Sequence, residues 1–103
     1  MTTDSRPQMA PGGHHAAPQV LAATPGGRAL LFTLEAGEGL PPHRHPGAQV
    51  VLAVLSGEVE VRAGEAGPQT VGAAGVVTHD GDHVISVLAL RSAQLLVTLL
   101  KLV

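Results

Sequence analysis

Residues 37–57 read Gly37-Glu-Gly-Leu-Pro-Pro-His43-Arg-His45-Pro-Gly-Ala-Gln49-Val-Val-Leu-Ala-Val-Leu-Ser-Gly57. His43 and His45 stand two residues apart, so on extended backbone both rings leave the same face. Pro41-Pro42 holds the backbone extended just before them. Pro46-Gly47 predicts a turn, Val50–Leu55 a wholly apolar strand and Ser56-Gly57 the next turn. Two imidazoles on one face of a rigid strand are what a metal site needs. Neutral imidazole is the commonest nitrogen ligand for zinc, copper, iron and nickel.

Outward from this stretch the chain keeps the same grain. Arg28–Glu35 is a strand with Leu30, Phe32 and Leu34 on one face and Leu31 and Thr33 on the other. Glu58–Arg62 alternates strictly, with Val59 and Val61 inward and Glu58, Glu60 and Arg62 outward. Gln69–Val71, Val76–His79, His83–Leu90 and Gln94–Val103 read as further strands, and Val20–Ala23 as a short first one. Glycine-rich turns separate them, and no stretch has helical periodicity. Short strands at regular spacing predict an all-β, antiparallel jelly-roll barrel over residues 19–103. Residues 1–18 hold three prolines and two adjacent glycines among small and polar residues, which predicts a flexible N-terminal arm. His14 and His15 lie in it as solvated side chains.

With its glycine, five residues, His-x-His and closing glycine, the stretch from Gly37 to Gly57 resembles the first motif of the cupins, a superfamily of small β-barrels. The resemblance covers roughly residues 28–103 and implies a barrel with a metal in its interior. The family's motif also carries a glutamate, which this chain lacks. Gln49 stands three residues after His45 and Val50 four, and Val50 keeps the family's six residues before the closing glycine. The second cupin motif is met in part by Gly75-Val-Val-Thr78-His79-Asp80-Gly81-Asp82-His83. Gly81 matches, His79 replaces a proline and His83 comes one residue early.

Apart from the family, four histidines fall in two clusters at strand ends, His43/His45 and His79/His83. Two antiparallel elements crossing a barrel mouth bring three or four imidazoles together. Zinc, iron and nickel accept such sets, with positions left for water. The expected centre is one divalent transition metal, zinc, iron, nickel or manganese, on His43, His45 and His83. His79 is the alternative third ligand, and Gln49 offers a neutral carbonyl oxygen. Asp80 and Asp82 stand where they would accept a ligand's free ring N–H. Arg44, between the two histidines, should face away from them.

Composition narrows the function classes. A net charge of −2 with scattered basic residues gives no footprint for nucleic acid. The absence of cysteine removes disulfides, thiolate metal sites and cysteine nucleophiles. The polar first residues are neither a secretory signal nor a membrane span, so a cytoplasmic location is expected. Phe32 is the single aromatic residue, which argues against aromatic platforms for sugars or bases. Two classes remain: a module that binds or senses a small molecule or the metal, and, as the cupin resemblance implies, a metal-dependent enzyme of dioxygenase type. The shortness and the missing glutamate favour the first.

Three strands are apolar on both faces: Val50–Leu55, His83–Leu90 and Gln94–Val103. A single barrel buries one face of each strand. The second face then needs a cover, and Val20–Ala23 is too short to provide it. A contiguous apolar patch of that extent is unusual on a soluble monomer, so the expected assembly is a homodimer.

Overall fold

The computed structural model describes residues 17–102. The N-terminal arm, apart from Ala17 and Pro18, lies outside the described residues, as do His14 and His15. The described chain is all-β, with nine strands and no helix. They are β1 (Gln19–Thr24), β2 (Gly27–Leu34), β3 (Gly39–His43), β4 (Ala48–Ser56), β5 (Glu58–Ala63), β6 (Gln69–Gly72), β7 (Val76–Asp80), β8 (Ile85–Ala89) and β9 (Ala93–Lys101). Among the described residues no helix is long and apolar enough to cross a membrane.

The strands form two antiparallel sheets. One has five strands in the order β1-β2-β9-β4-β7, the other four in the order β3-β8-β5-β6. This crossing of sequence order between two sheets is the jelly roll that the alternation predicts. Period-2 patterning decides which side chains meet. On β2 Phe32 and Leu34 are buried, on β4 Val50, Leu52 and Val54, and on β9 Ala93, Leu95, Val97 and Leu99. From the second sheet Leu40, Val59, Val61, Val71, Ile85, Val87 and Ala89 close over them. The core is almost entirely aliphatic. Each fully buried leucine, such as Leu34 or Leu95, stabilises the fold by about 1.5–3 kcal/mol.

Two local departures from regular strand shape the functional end. The β3–β8 pairing shifts register between Leu40 and His43, where Pro41 and Pro42 carry no N–H to donate. β3 is an edge strand, so the missing donors cost no ladder on its far side. The strand expected to begin at His83 begins at Ile85. Asp80 is the cause. Its carboxylate accepts the Asp82 N–H at 2.9 Å, and its carbonyl accepts the His83 N–H at 3.1 Å, so the chain is still turning at His83.

Candidate ligand site

β3 ends at His43, and His45 lies just beyond, in a loop held by glycine contacts. The His45 N–H donates to the Gly81 carbonyl at 2.8 Å, and the Gly81 N–H donates to the Ala48 carbonyl at 2.8 Å. A side chain at Gly81 would overlap the His45 carbonyl oxygen, so glycine is what lets the two loops close on each other. The His43 and His45 rings then meet edge to face, centroids 4.6 Å apart. His43 Nδ1 lies 2.6 Å from the Pro41 carbonyl oxygen. A carbonyl only accepts, so Nδ1 carries the proton, and a neutral His43 ring presents Nε2 as its free acceptor.

Both rings line a cavity of about 320 Å³ whose walls are Leu30, Phe32, Leu40 and Val97. The cavity reaches into the core cluster between β2, β9 and β3. Its surroundings act on His45. Burial, then the neighbouring His43, then Arg28 push its pKa below the ordinary value of 6.5. At pH above that value the folded and unfolded chains both carry neutral imidazole. As pH falls through it, the unfolded chain takes the proton first, and stability is lost until the folded ring also titrates. The melting temperature should therefore fall between about pH 7 and pH 5, with a shallower slope in His45→Gln. An identical slope in that variant would refute the effect.

The other candidates sit elsewhere. His79 pairs with Val50 across β7 and β4, which places its ring on the inner face of the sheet. It lines a different cleft, of about 740 Å³, together with His83, Arg44 and Asp82. His79 Nε2 is buried without a hydrogen-bond partner. His83 is exposed, its ring close to Gly64. Gln49 lies on the opposite face of β4 from Val50, and its amide donates to the His79 carbonyl at 3.2 Å. Val50, 2% exposed, takes the inward position four residues after His45. Ile85, also 2% exposed, is the residue paired with His43. Aliphatic side chains thus stand beside the histidine pair on β4 and β8. Among the described residues no three histidine, aspartate or glutamate side chains gather as a metal-ligand set. His43 and His45 supply two donors, fewer than the three or four protein ligands usual for zinc.

Arg44 is exposed and lines the cleft of His79 and His83. It also borders a further cleft that His45 shares. The walls of the apolar cavity and the cations beside it were not singled out as site residues from sequence. Their signal was parity: Arg28 alternates in phase with Leu30 and Phe32, and Lys101 with Val97 and Leu99.

No family model matches the sequence, and no curated protein matches it significantly. Solved structures do. The described fold is similar to an RmlC-like cupin protein from Desulfovibrio desulfuricans, with 21% identity and a TM-score of 0.78, over 86% of this chain and 85% of that one. It is similar to a conserved protein with a double-stranded β-helix domain from Klebsiella pneumoniae, at 17% identity and a TM-score of 0.78, over 95% and 91% of the two chains. A cupin superfamily protein from Desulfitobacterium hafniense matches at 13% identity and a TM-score of 0.73, over 84% and 77%. Two sheets in jelly-roll order and these neighbours agree: the chain has the cupin-like jelly-roll fold.

Proposed function

We propose that the protein is a cytoplasmic small-molecule binding module whose ligand occupies the cavity beside His43 and His45. One observation carries the reading: a partly open apolar cavity at the edge of the core that ends on two imidazoles. Apolar walls with a few convergent polar groups are the usual make-up of a small-ligand pocket, and about 300 Å³ is within the usual range. The apolar body of the ligand packs against Leu30, Phe32, Leu40 and Val97. The rings of His43 and His45 line the end of the cavity nearest its polar group.

A divalent metal enters a second reading, favoured by the His43 tautomer. Metal-bound histidines commonly donate their other ring N–H to a carbonyl, as His43 does to Pro41. Held by His43 and His45 alone, the ion would take its remaining donors from water or the ligand. An oxygenase-type centre with three protein ligands would require His83, His79 or Gln49 to leave their present places.

One NMR titration of the full chain tests both readings. Hexanamide, a neutral amphipathic probe, should shift the amides around Leu30, Leu40 and Val97, and Leu30→Trp, which fills the cavity, should abolish the shifts. Unchanged spectra with the wild type would sink the cavity assignment. Zinc ion in a parallel arm should shift the same region only if the metal reading holds, and His43→Ala/His45→Ala should then remove that response.

The protein is also proposed to be a homodimer. The outer face of the five-stranded sheet supports this. Leu31 on β2 pairs with Leu96 on β9, Leu96 with Ala53 on β4, and Ala53 with Val76 on β7. They form one apolar row across four strands. β2, β9 and β4 place no charged residue on that face. β1 extends the sheet at its edge and leaves the face uncovered.

A further inference from the structure

The inner face of the five-stranded sheet changes character along its length. On β2, Leu34, Phe32, Leu30 and Arg28 alternate onto one side. On β9, Leu95, Val97, Leu99 and Lys101 do the same. The strands are in register, with Leu30 against Val97 and Arg28 against Leu99. Exposure rises in step: Leu34 is fully buried, Phe32 nearly so, Leu30 half-buried and Arg28 exposed. The apolar lining therefore gives way to two cations at one end of the jelly roll. Arg44 joins them from the loop after β3. With His45 these side chains line a cleft of about 690 Å³. His45 is the shared wall, lining the apolar cavity and this cleft.

Among the described residues the cations of the cleft form no ion pair. No aspartate or glutamate lines the cleft. The two remaining cations of the described residues lie beside carboxylates: Arg62 Nε is 3.2 Å from Glu60 Oε1 and Arg91 Nε is 3.9 Å from Glu58 Oε1. Arg28, Arg44 and Lys101 have no carboxylate partner among the described residues. In a chain of net charge −2, three cations with no ion pair among the described residues, all lining one cleft, are a local reversal of sign. Such a site attracts an anion, and arginine presents paired N–H donors that match a carboxylate.

We propose that this cleft binds the carboxylate of a small amphipathic acid whose apolar body lies in the adjoining cavity. The inference rests on the cavity being a ligand site, as proposed above. It adds the chemical class of the ligand and the direction in which it lies, tail toward Phe32 and head toward Arg28, Arg44 and Lys101.

Isothermal titration calorimetry with hexanoate and its neutral analogue hexanamide separates the two ideas. At low ionic strength the wild type should bind hexanoate about tenfold tighter than hexanamide. Arg28→Gln/Lys101→Gln should reduce that preference to about twofold or less, with hexanamide affinity unchanged. Arg62→Gln, on the other sheet, should keep the full preference. Arg44→Gln repeats the test in a loop, without altering a strand, and should also weaken hexanoate alone. Equal affinity of the wild type for both probes would overturn the anion site and leave the cavity reading intact. A preference that survives in the double variant would overturn it as well. Failure of both probes to bind would overturn the cavity and the anion site together.

Discussion

Replacing Leu96 by glutamate should convert the proposed dimer to a monomer. Leu96 sits on β9, the middle strand of the five-stranded sheet, and faces outward between Leu31 and Ala53. It is only half-exposed, because its neighbours on the sheet are apolar and stand close. A carboxylate there would be desolvated on assembly with no cation on the same face of β2, β9 or β4 to pair with it. An uncompensated buried charge costs about 3–5 kcal/mol, which weakens a dimer by more than about a hundredfold. An ordinary interface of about 800 Å² per partner would not survive that at micromolar concentration. Leu88→Glu is the companion test. Leu88 is 41% exposed on the outer face of the other sheet. If it dissociates the dimer and Leu96→Glu does not, the contact lies on that sheet. Sedimentation or light scattering reads both variants. A wild type that is monomeric at micromolar concentration would end the proposal.

Gly57→Ala should be the most damaging single methyl group added to the fold. Gly57 has φ of +82°, in the left-handed region, at the tight turn between β4 and β5. A Cβ there would overlap the Ser92 carbonyl oxygen and crowd Ala93 at the start of β9. The backbone conformation alone costs an L-residue about 1–2 kcal/mol. Displacing packed backbone adds about 1–3 kcal/mol. A total near 3 kcal/mol would lower the melting temperature of a domain this size by more than about 10 °C. Gly37→Ala isolates the two contributions. Gly37 has φ of +90°, but nothing stands within 4 Å of its missing Cβ. It should show only the smaller, conformational loss. Equal melting temperatures for the two variants would show that the approach of Ser92 contributes nothing.

The sequence carried the fold more clearly than the site, and the reason is geometric. Alternation in Arg28–Leu34 and Glu58–Arg62 reports which side of a strand is buried, and the sheets bury those sides. Pro41-Pro42 announced extended backbone, and β3 runs through it. The histidine pair was legible for the same reason, since two residues apart on extended chain means one face. How the second histidine cluster stands relative to the first was not. Where His83 points depends on where the turn after Asp80 ends, and one Asx-type hydrogen bond moves that by two residues. No periodicity encodes it. The family's glutamate position was ambiguous by one residue, which on a strand is the difference between inside and outside. Packing places Val50 inside, with Gln49 on the other face. Arg28 and Lys101 were readable by parity. A charge at a strand end resembles ordinary solvation until the facing strands are known.

The strand order also has a kinetic consequence. β9 lies between β2 and β4, so the middle of the five-stranded sheet is filled by the ninth strand in sequence. β1 and β2 can close as a hairpin early, but β2 and β4 have nothing to join them until β9 arrives. Pairing over so long a loop makes folding slow, on the scale of about milliseconds to seconds for comparable topologies. Through that interval β2 and β4 each present an open apolar edge, the kind that captures other nascent chains. A polypeptide interrupted before Ala93 would be left with two half-sheets and no strand to bridge them.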